Sequence, residues 1–559
     1  MLATNLCTNT DIVIDNVTVS KNKNANLLLS LSYSDTSSVS VTIENSRIEG
    51  GTELAWGGLI MLYDSSQLQL HNCPNPQNSD KNKKSMLRIF NTTVTRNIGA
   101  GLAILINSKY ATFDVEIDQV ILSENNATLG FETDTEFQNA GVLDGAGVLF
   151  DTLGALLILG NSSSEDCPRQ SFSHENITIK ISNSFVTRNT GGGVVISSFT
   201  NCTICKWNIE ISQVTFIENI NGITGLQWGG NLLVLMTGTR ISTISNSYLR
   251  ISNCVFQSGV AQAGGGACIA GIFIVDGFDE VMNKTNQWIS IQHSHFIGNT
   301  GLWGGGLSIL IFYLPSRNEL FHLNALVSTV YVENTTFTDN AALSGSAVHV
   351  THGKLNSLAA AGLLQTVFEN TTFRHNHQNI DGLPFPRNAN VPGTKTTAYF
   401  MYVQNVTISN CEFIQNNGTA LTAEQSNIIF TGDVLFRENW SILGGALSLF
   451  YSFQFLLPQT YLLFANNHAE RFGGAIYYLL HLENYMIMNK CLMTIYALPP
   501  NVSVEDSGVR IDFINNTAVE AGDAMYGTPF DAEVCTKVPS VGHLCCDQSQ
   551  FTSVMIVQV

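Results

Sequence analysis

Apolar side chains recur in a fixed arrangement around fourteen anchor positions. Eight anchors are Phe in a Phe-x-x-Asn segment, and the others are Phe256 or a smaller apolar residue. Before ten of them, apolar residues, most of them β-branched, stand seven and five positions earlier, as Ile209 and Ile211 do before Phe216. This period of two predicts a strand with one buried face. The anchors are Val19, Ile48, Val94, Leu122, Val186, Phe216, Phe256, Phe296, Phe337, Phe373, Phe413, Phe436, Phe464 and Phe513.

Two polar columns frame the anchors. Three residues after the anchor, twelve positions hold Asn and two hold Gly, namely Gly51 and Gly259. Because Asn and Gly tolerate positive φ, we expect this column to be a turn in the left-handed region. Three residues before the anchor, Asn recurs, as at Asn91 and Asn334, and the apolar parity shifts. The shift predicts a bend that keeps both neighbouring strands facing inward.

A Gly-rich step and another short apolar run follow each anchor, as in GGGVVI at 191 and GGALSL at 444. Each unit therefore reads strand, Asn bend, strand, Gly turn, strand, which is one coil of a parallel β-helix. The chain is predicted to be all-β, a single-stranded parallel β-helix with about 14 or more coils. At about 4.8 Å per coil the rod is roughly 65 Å long, and longer if the gap between 122 and 186 hides further coils. Residues 1–530 form this solenoid, and 531–559, which contain Cys535, Cys545 and Cys546, form a C-terminal cap or the start of a following segment.

Stacked coils align like residues, so side-chain columns are expected inside the rod. The expected aromatic stack comprises Phe216, Phe296, Phe337, Phe373 and Phe413. The expected amide ladder, with hydrogen bonds to the coils above and below, comprises Asn219, Asn299, Asn340, Asn376 and Asn416.

At its Phe-x-x-Asn and Gly-Gly-Ala-[Ile/Leu] segments the chain resembles the repeats of bacterial polymorphic outer membrane proteins, which are autotransporter-type adhesins. It is also similar to large extracellular β-helix proteins of simple animals. The resemblance covers nearly the whole chain and implies the right-handed, pectin-lyase-like superfold. It does not imply an activity.

Charge and processing signals restrict the setting. With 44 acidic and 26 basic residues the formal charge is −18 and no basic stripe is present, which argues against a nucleic-acid partner. Twelve cysteines and fourteen Asn-x-Ser/Thr sequons favour an extracellular or cell-surface protein with some disulfides. Residues 1–20 lack signal-peptide features, so we expect a signal outside this chain, and a membrane tether is compatible with the same position.

The sequons divide into two groups by position. Those in the two polar columns, Asn16, Asn91, Asn334, Asn370 and Asn439, are expected to remain unmodified because they point into a ladder. Glycosylation is expected at the others, which are Asn126, Asn161, Asn176, Asn201, Asn283, Asn405, Asn417, Asn501 and Asn515.

No catalytic, cofactor-binding or metal-binding residue is predicted. Hydrolysis needs paired carboxylates, and the chain has no Asp-Asp pair and no recurrent acidic cluster with a basic neighbour. The pairs His293/His295 and His375/His377 lack a third metal ligand. Cys202 and Cys205 favour a loop disulfide or an unpaired surface pair over zinc. Three tryptophans that precede Gly-Gly favour packing over sugar binding: Trp56, Trp228 and Trp303.

Insertions are predicted to emerge along one edge of the rod, before the first strand of the next coil. They are 73–85, 160–171, 276–287, 353–365 and 378–398. Loops on a rigid solenoid commonly bind ligands, so an extracellular glycan or protein is expected to bind along this edge. The sequence thus favours a non-enzymatic protein of adhesion, recognition or matrix structure. The alternatives are a polysaccharide lyase or glycoside hydrolase of pectin-lyase-like fold, and a passive spacer.

Overall fold

Every regular element that the computed structural model describes is a β-strand, and neighbouring strands run parallel. The structure describes residues 2–6, 10–22, 26–33, 38–52, 58–64, 84–107, 112–126, 156–162, 176–200, 206–221, 228–240, 247–275, 286–315, 328–354, 364–378, 395–403, 405–452, 454–479, 491–496, 507–527 and 533–537.

Each coil contributes one strand to each of three long sheets. The first sheet holds the strands that precede the anchors: Thr10–Asp15, Val39–Glu44, Lys84–Phe90, Thr112–Asp118, Asn176–Ser182, Lys206–Ser212, Tyr248–Ser252, Asn286–Gln292, Ser328–Glu333, Leu364–Glu369, Asn405–Ser409, Asn427–Thr431, Gln454–Leu456, Cys491–Tyr496 and Glu533–Lys537. The second sheet holds the anchors: Thr18–Ser20, Arg47–Glu49, Thr93–Thr95, Ile121–Ser123, Phe185–Thr187, Thr215–Ile217, Val255–Gln257, His295–Ile297, Thr336–Thr338, Thr372–Arg374, Glu412–Ile414, Asp433–Arg437, Tyr461–Ala465 and Arg510–Ile514.

The third sheet follows the glycine-rich step. Its strands are Leu2–Leu6, Leu27–Tyr33, Leu59–Asp64, Leu102–Asn107, Leu156–Ser162, Val194–Thr200, Leu232–Arg240, Ala267–Val275, Leu307–Pro315, Val348–Lys354, Thr396–Met401, Thr419–Glu424, Leu447–Phe450, Ile476–Leu479 and Met525–Gly527. Two small sheets lie at the corner between the second and third sheets. They comprise Ile220–Asn221, Val260–Ala261, Thr300–Trp303 and Ala341–Ser344, and Trp440–Leu443, His468–Phe472 and Thr517–Ala518.

The register confirms the predicted parallel β-helix. The second sheet has 14 strands, one for each anchor, and anchor pairs with anchor, as Phe256 does with Phe296. Across the wide gap after residue 122, the described strands show no further coil, because Ile121 pairs directly with Phe185. The residues between them therefore belong to a single coil.

The core fills the space between the three sheets with apolar side chains from their inner faces. Nine Phe rings form one continuous stack, with neighbouring centroids from 4.5 Å (Phe373 to Phe413) to 5.2 Å (Phe337 to Phe373) apart. Offset ring stacking adds to the free energy gained by burying these side chains. The stack runs through Phe216, Phe256, Phe296, Phe337, Phe373, Phe413, Phe436, Phe464 and Phe513.

The two bends differ from the prediction in their backbone conformation. The left-handed residue of the second bend lies two residues after the anchor, as at Glu218 (φ 56°), and not at the following Asn. The first bend is also left-handed, at the Asn three residues before the anchor, for example Asn370 (φ 48°). Most of these first-bend asparagines are exposed, so this column is not an internal ladder.

The asparagines three residues after the anchor instead form a buried ladder. Between the two ends of the ladder, Nδ2 of each such asparagine donates to the Oδ1 of the next member, as Asn340 does to Asn376 at 3.0 Å, and also to the anchor carbonyl of the preceding coil, here Phe296, at 2.9 Å. The ladder runs through Asn22, Asn26, Asn97, Asn125, Asn189, Asn219, Asn231, Asn299, Asn340, Asn376, Asn416, Asn439, Asn467 and Asn516.

Two members of the ladder, Asn26 and Asn231, do not lie three residues after an anchor. They account for the glycines that stand at that position in two coils. Asn231, which enters the third sheet, accepts from Asn219 Nδ2 at 2.8 Å and donates to Asn299 Oδ1 at 3.2 Å. Asn231 thus fills the ladder position that Gly259 leaves empty in its own coil. A Cβ on Gly259 would lie 2.4 Å from Asn231 Nδ2. Asn26 fills the place of Gly51 in the same way, since it bonds Asn22 and Asn97. These glycines leave room for a neighbour's amide, and neither has positive φ.

Four of the five predicted insertions join a strand of the third sheet to a strand of the first, as expected. The fifth, 378–398, was assigned to the wrong edge, since it joins Thr372–Arg374 of the second sheet to Thr396–Met401 of the third. Most insertion residues lie outside the described part. The strand Glu533–Lys537 extends the first sheet beyond residue 530, and residues 538–559 lie outside the described part.

Candidate functional site

Polar and aromatic side chains form two parallel rows at the corner between the second and third sheets. On the coils from Phe373 to Phe464 the ladder Asn is buried, and the residues before and after it are exposed or half-buried. Four successive coils place chemically rich residues there, over roughly 14 Å of the rod. One row holds His375, Gln415 and Glu438, and the other holds His377, Asn417, Trp440 and His468. We call these seven residues the corner strip.

A hydrogen-bond chain orders the first row. His375 Nε2 donates to Gln415 Oε1 at 2.7 Å, and Gln415 Nε2 donates to Glu438 Oε2 at 2.7 Å. Asp339 lies 3.8 Å from His375 Nδ1. All three members are exposed and have left-handed backbones. Planar amide, imidazole and carboxylate groups are thereby held in a fixed orientation toward solvent.

Trp440 is the aromatic residue of the second row and keeps 37% of its surface exposed. Its strand pairs with the one that begins at His468, and a bridge connects it to Asn417 on the other side. Lys395 Nζ lies 5.8 Å from the centroid of its ring, and Arg374 and Arg437 project from the adjoining sheet edge. The strip therefore combines an indole ring, amides and cations.

Trp440 was not predicted from the sequence, because it does not precede Gly-Gly as Trp56, Trp228 and Trp303 do. Of those, Trp228 and Trp303 are half-buried and lie on either side of Ala263, whereas Trp56 lies outside the described residues. The feature of the sequence that could have identified Trp440 is its position directly after the ladder residue Asn439. At the four coils of the strip this position is exposed or half-buried.

Within the described part of the chain, the histidine pairs singled out in the sequence are not brought together into a metal site. His293 lies at a left-handed bend, and His295 contacts Thr336 Oγ1 at 2.7 Å. Within the described ranges no three His, Cys, Asp or Glu side chains are placed to hold a metal ion. Cys202 and Cys205 lie outside these ranges. Of the twelve cysteines, Cys254, Cys268 and Cys411 are buried free thiols, so the expected disulfides do not involve them. Burial raises the pKa of Cys254 to about 11.

The sequon asparagines occupy quite different surroundings. Asn126, Asn417 and Asn515 are exposed, whereas Asn176 and Asn405 are half-buried. Asn439 is fully buried in the ladder. Asn161 lies in the strand Leu156–Ser162, but its side chain is outside the described part, as are Asn201, Asn283 and Asn501.

Carboxylates do meet on consecutive coils, although the chain has no Asp-Asp pair. Glu333 and Glu369 pair in register on the outer face of the first sheet. Tyr331 Oη donates to Glu369, and Gln292 Nε2 donates to Glu333 at 3.1 Å. Burial and these two carboxylates raise the pKa of Tyr331. Asp15 and Glu44 form a second such pair.

The chain matches no protein-family model, and no curated protein matches its sequence. No helix within the described residues is long and apolar enough to cross a membrane. Inference about function therefore depends on the surface of this molecule itself.

Proposed function

We propose that the chain is a non-enzymatic extracellular β-helix protein of adhesion, recognition or matrix structure, and that the corner strip binds a polysaccharide. The observation that carries this proposal is the exposed ring of Trp440 beside amide, imidazole and carboxylate groups held in register. Sugars offer C–H faces that pack on an indole ring and hydroxyls that bond planar polar groups. A straight rod also lets an extended chain contact one coil after another.

The strip suits a ligand with many hydroxyl groups better than an ionic one. The cations Arg374, Lys395 and Arg437 are balanced by Asp339, Glu412 and Glu438, so the local charge is close to zero at neutral pH. Balanced charge favours recognition through hydrogen bonds and ring packing. Neutral polysaccharides are therefore expected to bind more tightly than acidic ones.

The experiment compares retention of soluble neutral and acidic polysaccharides by Trp440→Ala and by the parent. Both proteins carry Asn417→Gln, because this substitution removes a sequon within the strip and keeps a side-chain amide there. Loss of the indole ring should weaken binding about tenfold or more. Phe185→Ala is the matched control, since Phe185 is an outward aromatic residue, 51% exposed, on a distant coil. Equal binding by the parent and both variants would refute the assignment.

One observation favours the alternative, a polysaccharide lyase or glycoside hydrolase. Glu333 and Glu369 lie on adjacent strands about 4.8 Å apart, near the separation of roughly 5–5.5 Å that retaining glycosidases use. Incubation with the same polysaccharides, followed by measurement of new chain ends, separates the two functions. Cleavage that Glu369→Gln abolishes would establish the enzyme and displace the binding proposal.

The finer assignment to the right-handed, pectin-lyase-like superfold is part of this proposal. Parallel strands of one sheet are joined by right-handed crossovers in nearly all proteins, and the repeats resemble those of β-helical adhesins. An electron-density map in which the coils wind to the left would overturn it.

A further inference from the structure

The first bend of the coil presents four sequons on one exposed corner of the rod. At Asn16, Asn91, Asn334 and Asn370 the backbone is left-handed, with φ from 45° to 54°. A threonine follows two residues later in each case, on the outer face of the second sheet: Thr18, Thr93, Thr336 and Thr372. Asn16, Asn91 and Asn370 are exposed and Asn334 is partly exposed.

From this geometry we infer that the corner between the first and second sheets is a site of N-linked glycosylation. The inference rests on the proposed extracellular location. It reverses the expectation that bend asparagines are protected, because that expectation treated both asparagine columns as internal ladders. Only the column after the anchor is internal.

Amide chemistry separates the two columns. Glycan attachment replaces one of the two hydrogens on Nδ2. In the ladder, Asn439 uses both, because Nδ2 donates to Phe413 O and to Asn467 Oδ1, each at 2.9 Å. A sugar there would break a buried hydrogen bond and would find no space. At the bend, Asn91 Nδ2 donates once, to Asn45 Oδ1 at 2.8 Å, so a second hydrogen remains for the linkage.

The sequons of this corner have a structural origin that does not depend on modification. Asn is favoured at the left-handed bend and Thr at the outward strand position, so the repeat itself generates Asn-x-Thr. Other coils have the bend Asn without the hydroxyl, as at Asn253, which is followed by Val255. Glycans on these four asparagines would therefore occupy this corner at chosen coils, whereas the corner strip, whose own sequon is Asn417, lies at a different corner.

The test uses the full chain with an added signal sequence, secreted from eukaryotic cells and mapped peptide by peptide for site occupancy. We expect sugar on Asn91 and Asn370 and none on Asn439 in the folded fraction. Thr372→Val should remove the glycan of Asn370 while leaving the bend and the melting temperature unchanged. Empty Asn91 and Asn370 beside an occupied Asn515, or an occupied Asn439 in folded protein, would overturn the inference.

The added signal sequence keeps this test separate from the proposed function. It sends the chain past the glycosylation machinery wherever the natural protein resides. Suppose that the bend sites carry glycans in the protein secreted with the added signal, and that protein from the natural source is unmodified. This result would refute the extracellular location but would still support the inference that the bend asparagines are accessible.

Discussion

Left-handed residues occur at both bends that flank the anchor, and the two bends select them differently. The first bend is mostly Asn, the side chain that tolerates φ near +50° by bonding locally. The second bend has Asn at Asn466 and Asn515, but it also accepts Lys, Arg, Glu, Gln, Ser, Asp and His, for which that conformation costs about 1 kcal/mol. Natural glycines occupy two of these positions, Gly50 and Gly298. The second bend therefore stores backbone strain that a single substitution can relieve.

Glu218→Gly should raise the free energy of unfolding by about 1 kcal/mol, because Gly adopts positive φ without a steric penalty. Glu218 is exposed with φ of 56°, so little side-chain contact is lost. Urea denaturation measures the change. Thr215→Gly, in the adjacent strand, is the control and should lower stability by a similar amount. A loss of stability in both variants would contradict the strain argument.

The glycines of the ladder column show what a single repeat unit cannot reveal. Gly51 and Gly259 stand where other coils have Asn, and the two residue types were equated through positive φ. The structure gives a different reason: Asn26 and Asn231 reach the ladder from another position and need the space. This exchange between coils depends on three-dimensional register, so sequence alignment of the repeats could not predict it.

The same substitution, Asn to Asp, should destabilise the protein strongly in the buried ladder and hardly at all at the exposed first bend. Asn231→Asp replaces a buried donor by a carboxylate that faces the Oδ1 of Asn299, and should cost about 3 kcal/mol or more. Asn253→Asp changes an exposed left-handed residue and should stay within about 0.5 kcal/mol of the parent. Chemical denaturation of both proteins gives the comparison. Equal losses would mean that the buried ladder contributes no more than the surface bend.

Among the strands, Val348–Lys354 is unusual because it buries two histidines. His349 is 7% exposed and His352 is 3% exposed. His349 Nδ1 lies 3.3 Å from Ser344 Oγ, and its ring packs against Tyr399. Burial lowers the pKa of His349 to about 4 and that of His352 to about 3. Both are neutral in the folded protein at neutral pH.

This strand should make the protein sensitive to mild acid. Between pH 6.5 and about 4 the unfolded chain binds protons at these two positions and the folded chain does not. The free energy of unfolding should therefore decrease as the pH is lowered, by up to about 1.4 kcal/mol per pH unit for each histidine. Urea midpoints between pH 7 and 5 measure the slope, above the range where most carboxylates titrate. His352→Leu, whose neighbour in register is Ile311, should reduce the slope by about half. An unchanged slope would count against buried, neutral imidazole.

Strands and corners differed in how far the sequence could predict them. Period-two apolar residues such as Ile209 and Ile211 identify the first sheet because burial of one face imposes that pattern. The outward residues obey no such rule, so Trp440 and its neighbours were not recognised as a group. Insertion 378–398 was misplaced because its coil has no Gly-Gly step to mark the corner before the third-sheet strand Thr396–Met401. Burial determines which residue types face the inside of the rod, whereas the positions of the outward polar and aromatic residues are seen only in the three-dimensional structure.

At the scale of the whole molecule, each coil repeats the contacts of its neighbours. The amide-to-amide hydrogen bonds of the ladder all run in one direction, from Nδ2 to the Oδ1 of the next member, and the Phe stack crosses nine coils without interruption. In such a solenoid the free energy of unfolding is approximately a sum of coil terms and interface terms. An added coil should therefore stabilise the rod, provided that it preserves the register.

Duplicating residues 414–436 tests this additivity. The segment spans one anchor spacing of 23 residues, from after Phe413 to Phe436, and includes the ladder residue Asn416. A copy inserted after Phe436 supplies one strand for each sheet, one ring and one amide, so the melting temperature should be no lower than that of the parent. A copy of residues 414–425 supplies an incomplete coil and should lower it sharply, because the following anchors can no longer align. If both insertions melt alike, the coils do not stack as independent, equivalent units.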